Sequence, residues 1–287
     1  MAWWSDPWLL AIVVLLATSV LSVLAWLHIR FWERALSFPL HYDSVEVHRA
    51  PDGGRFELRH LTAPLTPDSH LGRLPPVLLV HGICANHRNQ DACEQSSLAR
   101  YLASQGRDVW LATLRSGRPW RAKEGLQPAR FASMARFDVP MAVARVLELT
   151  HEKQLDYVGF SMGGMLLYAS VGRGVKPQQL RRAVFVGAPG RVQPPIGVPR
   201  LLRFLPAVLV PPILTGLLGT AFAFMSEWVV TPAHRVIVNP RNLAPGATRQ
   251  ALVDVVQDVP GRLLADFMVW ATSDGVIRVD GQDVLQG

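Results

Sequence analysis

"LDYVGFSMGG", Leu155 to Gly164, decides the reading of this chain. Leu155 to Phe160 is a short apolar run of strand type, and Ser161 to Val171 has the composition of a helix. Ser161 therefore stands at an abrupt strand-to-helix turn. Gly159-Phe160-Ser161-Met162-Gly163 fits G-x-S-x-G. Such a turn is strained, and a side chain at either glycine position would crowd the neighbouring strand or helix. At the start of the helix, the backbone N–H of Met162 can face a developing oxyanion. A serine there could also serve only as a helix N-cap.

The surrounding chain supplies the context. Val45 to Arg49 and Phe56 to His60 read as strands of a hairpin around "APDGG". After a Pro-rich connection, Pro64 to Pro76, "PPVLLVHG" reads as a strand buried on both faces, ending at His81-Gly82. Asn89 to Gln105 reads as an amphipathic helix and Asp108 to Arg115 as the next buried strand. Pro140 to Glu152 reads as a helix with Asp138 as its cap. Arg182 to Pro189 is another strand. This alternation predicts an α/β fold, a mostly parallel sheet with helices on both faces.

A lone G-x-S-x-G is a weak pattern. With the strand before it, the helix after it and an upstream strand ending in His-Gly, the chain resembles the α/β-hydrolase family, especially its capped lipase- and esterase-like members. The motifs carrying the resemblance lie between Val45 and Pro189. It implies a Ser–His–acid triad, acyl-transfer chemistry on an ester and no cofactor. It makes Ser161 the nucleophile and the backbone N–H groups of Met162 and Ile83 the oxyanion donors, Ile83 lying in "HGICAN", His81 to Asn86. His81, just before that donor, supports the loop rather than acting as base.

The family order is serine, acid, histidine. Eight of the nine histidines precede Ser161, and only His234, in "TPAHRVIV", follows it. His234 precedes Asp254, Asp258, Asp266, Asp274, Asp280 and Asp283, and only Glu227 lies between it and the serine. His234 is thus a displaced candidate base. The short polar "SDGVIRVDGQDVLQG" suggests a hydrolase lacking its last two strands, and with them its acid and base. Three functions follow: a serine esterase, a non-catalytic hydrolase-like protein, or an acyltransferase using another acceptor.

The 20 residues Trp8 to Leu27 carry no charge and tryptophans bracket them. At 1.5 Å per residue, they could cross a hydrocarbon core of about 30 Å. The absence of basic residues before the run favours an uncleaved anchor over a signal peptide. Arg30 and Arg34 after it predict an inner-membrane protein with its main domain in the cytoplasm. Leu205 to Met225 is again uncharged, but Pro211-Pro212 argues against a second span. A lid or a buried helical hairpin fits better. The expected organisation is an anchor (1–34), a hydrolase core (40–190), a helical cap (191–275) and a short tail (276–287).

Composition bounds the partners. Of 287 residues, 49% are hydrophobic and 18% charged, which suits a packed core. Net charge is +7, but no nucleic-acid-binding signature accompanies it. Arg115, Arg118, Arg121, Lys123, Arg130 and Arg136 have only Glu124 against them locally, which reads as a solvated loop or a patch for anionic headgroups. Cys84 and Cys93 read as buried thiols, and no cysteine or histidine cluster suggests a metal. The expected partners are a hydrophobic, lipid-like ester and a membrane.

Overall fold

The computed structural model describes residues 6–62, 74–93, 97–118, 129–193, 201, 204–229 and 244–286. These fall into two compact units, one from the described parts of Met1–Phe38 and Leu217–Asp254, the other from Pro39–Gly216 and Val255–Gly287.

The first unit is built on helix α1, Pro7–Leu36. Asp6 starts it by accepting a hydrogen bond from the Trp8 N–H at 2.9 Å, with Pro7 in the first turn where its missing N–H is harmless. An 18-residue window of α1 has mean hydropathy 2.6 and none of it is buried, so length and composition allow a span. Thr18, Ser19 and Ser22 turn their hydroxyls back onto carbonyls one turn earlier, which satisfies them without water.

The second unit holds a six-stranded sheet in the order β1-β2-β4-β3-β5-β6. The strands are β1 (Ser44–Arg49), β2 (Arg55–Leu61), β3 (Val77–Val80), β4 (Val109–Thr113), β5 (Leu155–Phe160) and β6 (Leu180–Val186). β4, β3, β5 and β6 run parallel, while β2 pairs antiparallel with β1 and β4. The period of two sorts the side chains into two cores. Leu78, Val80, Trp110 and Ala112 face one cluster, which includes Val139, Val143, Met162, Met165 and Leu166. Val77, Leu79, Val109 and Leu111 face the other, with Ala99 and Ala103 of helix α2, Leu98–Ser104. Helices therefore cover both faces, as the alternation of the sequence predicts.

Four expectations need correction. The helix expected over Asn89 to Gln105 is a 3₁₀ turn, His87–Asn89, followed separately by α2. Asp138 does not cap its helix. It sits in a π-helical turn, Met134–Asp138, between a single turn α3 (Phe131–Ser133) and α4 (Val139–Thr150). Its buried carboxylate instead holds Arg115 at 2.6 Å, and Asp52 holds the same guanidinium at 2.6 Å.

The arginine cluster is likewise no open patch where it is described. Arg118 pairs with Glu57 at 3.1 Å, Arg130 with Asp266 at 2.7 Å, and Arg136 with Asp280. These partners are remote in sequence, so local counting could not find them. Arg121 and Lys123 lie outside the described residues. The C-terminal stretch that reads as polar also contributes structure. Helix Gly261–Thr272 and a hairpin of β7 (Arg278–Val279) and β8 (Gln282–Asp283) bring Leu263, Trp270, Ile277, Val279 and Val284 into the larger core.

Candidate active site

β5 runs between β3 and β6 and delivers Ser161 to the start of α5, Met162–Ser170. Ser161 has φ 49 and ψ −116, a conformation that costs a residue with a Cβ on the order of 1–3 kcal/mol. Its backbone is locked on both sides. Its N–H donates to the Val186 carbonyl at 2.8 Å, and its carbonyl accepts from the N–H of Gly164 at 3.0 Å. Its side chain makes no capping hydrogen bond, so the N-cap role leaves the hydroxyl unexplained.

The motif glycines are where atoms have no room. A Cβ on Gly159 would lie 2.5 Å from the Gly164 backbone, and one on Gly163 would lie 2.4 Å from the Val80 carbonyl oxygen. The helix start can thus press against the end of β3. Tyr157, fully buried, donates to the Gly163 carbonyl at 2.8 Å and fixes that approach.

The loop after β3 reaches the same place. A Cβ on Gly82 would meet the Ser161 Cβ at 3.1 Å, so the loop passes directly against the serine at Gly82. Among the described residues, neither the Met162 N–H nor the Ile83 N–H has an acceptor. An N–H without an acceptor beside a strained serine is the type of group that could hold a developing oxyanion.

Residues 75–210, just under half of the chain, match the family described as alpha/beta hydrolase fold. This segment belongs to the α/β-hydrolase family.

Curated relatives of this hydrolase segment are lipases. Gastric triacylglycerol lipase of Bos taurus is 36% identical over 130 residues, which cover 41% of this chain and 32% of the relative. Lipase member M of Homo sapiens is 30% identical over 121 residues, covering 39% and 28%. The chain therefore spans about a third or less of the length of these relatives. A thermophilic esterase from Thermogutta terrifontis is similar in structure with TM-score 0.44 and 17% identity, over 79% of this chain and 72% of that one.

His81 holds the loop that follows β3. Its Nδ1 donates to the Gly82 carbonyl at 2.7 Å and its Nε2 accepts from the Leu114 N–H at 3.0 Å. Both nitrogens are spoken for, which fixes a neutral tautomer, and burial pushes the pKa down to about 4. This agrees with a supporting role. Nearby, His87 bonds the Thr113 hydroxyl at 2.8 Å and is pushed down to about 2 by burial, with Arg59 and Arg88 adding to the effect.

Sequence reasoning missed how the loop is tied on its far side. Cys84 has φ 58, and its carbonyl accepts from the Gln257 N–H at 2.8 Å. Thr215 Oγ1 donates to the Gln257 carbonyl at 2.6 Å, the Gly216 N–H donates to Asp258 Oδ1 at 2.9 Å, and Ile213 bridges Val259. The segments around Ile213 and Val256 thus form a clasp on the hydrolase loop. Burial raises the Cys84 thiol to about 11, which keeps it protonated at neutral pH. Both cysteines are free and half-buried, less enclosed than their sequence suggests.

His234 lies outside the described residues. The described carboxylates after Ser161 have other tasks. Asp254 accepts from Ser37 and Phe38, Asp258 from Gly216, and Asp266 from Arg130 and Phe131. Asp274 pairs with Arg278, Asp280 with Arg136, and Glu227 with Arg249, while Asp283 accepts from the Leu285 N–H. A close His60–Asp108 pair exists, but Asp108 precedes β4 and marks the N-terminal end of the parallel strands. Ser161 stands at their C-terminal end, where open α/β sheets place their chemistry.

Proposed function

We propose that the chain is a membrane-anchored serine hydrolase that cleaves a hydrophobic carboxylic ester through Ser161. What supports this best is the strained Ser161 backbone with Gly82 of the neighbouring loop packed against its Cβ. Ser161 Oγ attacks the ester carbonyl and gives its proton to a histidine, for which His234 is the candidate. The Met162 and Ile83 N–H groups hold the oxyanion, and losing one such donor costs on the order of a hundred- to a thousand-fold in kcat. The same histidine protonates the leaving alcohol. Water then attacks the acyl-serine, the histidine takes its proton and returns it to Ser161 Oγ as the acyl–oxygen bond breaks, and the acid leaves.

The lipase names of the relatives favour a lipid-like ester. The length and apolar exposure of α1 favour an anchor in the inner membrane, and Arg30 and Arg34 favour a cytoplasmic main domain. The test is turnover of p-nitrophenyl esters of graded acyl length by the full chain and by Ser161→Ala. We expect Ser161-dependent cleavage that improves with acyl length. Equal activity in the two proteins would refute the assignment.

The engaged carboxylates favour a second reading, a hydrolase-like protein that binds hydrophobic ligands without turnover. Ligand binding by a folded chain that hydrolyses nothing would select it. An acyltransferase shares the same serine chemistry, and ester products formed with added alcohols would distinguish it.

A further inference from the structure

We propose that Leu217–Val229 is an in-plane lipid-binding element that seats on the bilayer at the level where α1 leaves it. The proposal rests on the reading of α1 as an anchor, and it adds a second, separately placed contact with the membrane.

The placement comes from contacts inside the first unit. The uncharged run of α1 ends at Leu27. Immediately beyond it, His28 Nε2 lies 2.9 Å from the Ala221 carbonyl, and Trp32 stacks on Phe224 with centroids 5.0 Å apart and planes 10° apart. His28 also meets Phe224 edge-on at 5.6 Å. Arg30, Glu33 and Arg34 share this turn of α1, so it belongs to the headgroup layer rather than the hydrocarbon. The element tied to it is held at the same depth.

Its own surface fits that depth. Helix α6, Thr215–Phe222, continues into a 3₁₀ turn, Ala223–Met225. Eleven residues reach about 16 Å as α-helix, roughly half of the hydrocarbon core, so this element cannot cross. Leu218, Phe222, Met225 and Val229 recur at helical spacing and are all exposed. Thr220, Ala223 and Ser226 are buried on the inner side, and Gly219 lies against Leu252 of the helix Ala247–Asp254. Phe222 is 59% exposed and Trp228 75%. Trp228 has Arg249 over its ring at 6.0 Å, an aromatic with a cation beside it, as suits an interfacial position.

The apolar stripe is continuous with that of α1 through the His28–Trp32–Phe224 contact, which selects lipid as the occupant. An apolar helix face lying flat in the interface is stabilised by the acyl chains it covers.

The test places the photo-crosslinker p-benzoylphenylalanine at Phe222, or at Val13 of α1, in the full chain. Each protein is reconstituted in phosphatidylcholine–phosphatidylglycerol nanodiscs, irradiated and read by intact mass. We expect phospholipid adducts at both positions, with comparable yields. Adducts at Val13 without any at Phe222 would overturn the in-plane element and leave the anchor standing. Chain-to-chain adducts from Phe222 would overturn it in favour of a second copy. Absence of lipid adducts at both positions would refute the anchor and the element together.

Discussion

The Cys84 carbonyl accepts a hydrogen bond from the Gln257 N–H at 2.8 Å. Ile83, the neighbouring residue, carries the proposed oxyanion donor, so this contact sets its position from outside the sheet. Thr215 braces Gln257 through its hydroxyl. Thr215→Val should lower kcat about ten-fold, less than outright loss of a donor. KM and the unfolding midpoint should barely move, and Thr215→Ser should restore the rate. Hydrogen exchange across His81–Asn86 should rise in the valine variant. Unchanged exchange and unchanged kcat would contradict the brace.

Ser161 holds a positive φ that glycine adopts without strain. Ser161→Gly should therefore be more stable than Ser161→Ala by about 1 kcal/mol, the low end of such strain. Both should lack turnover. Urea unfolding of the two variants compares them directly, and equal midpoints would mean that the turn is not strained.

Asp138 is buried against Arg115, with Asp52 on the other side of the guanidinium. Burial pushes the Asp138 carboxyl above its ordinary value, although Arg115 pulls it down. Asp138→Ala would leave a buried cation with only its half-exposed partner. Loss of one member of a buried pair costs about 3–5 kcal/mol. Chemical denaturation measures it, and a loss near zero would show that Asp52 suffices. Arg115 also occupies the space where a Gly54 side chain would go, 2.1 Å from a Cβ there.

His81 and His87 are neutral in the fold, with pKa values lowered from 6.5 to about 4 and about 2. In the unfolded chain each takes a proton near 6.5. The unfolded state thus binds more protons below that pH, and stability is lost as pH falls from about 6.5 toward 4. Each histidine contributes up to about 1.4 kcal/mol per pH unit in that window. Urea unfolding at pH 7, 6 and 5 should show the decline, and His81→Gln should make it shallower. A flat profile would contradict burial of neutral imidazoles.

Much of this was legible in the chain itself. Leu155–Phe160 and its turn were readable because a buried strand, two obligate glycines and a helix meet within ten residues, and each constraint is local. The close approach of Gly163 to Val80 follows from the same crowding. Asp138 was misread because a cap and a buried ion partner look alike in sequence, and Arg115, which decides between them, lies 23 positions away. The clasp at Gln257 was invisible for a related reason. It is made by backbone groups and a threonine hydroxyl, which carry no compositional signal. Residues Ile277 and Val284 escaped notice because the few apolar side chains buried here are scattered among charged and polar ones in a short stretch.

The most direct test of the central claim is reaction of the purified full chain with a fluorophosphonate serine probe, read by intact mass beside Ser161→Ala. Activation of Ser161 predicts one adduct on the native chain and none on the variant. A folded native chain that takes no label, or a variant that labels equally, would contradict the assignment of Ser161 as an activated nucleophile.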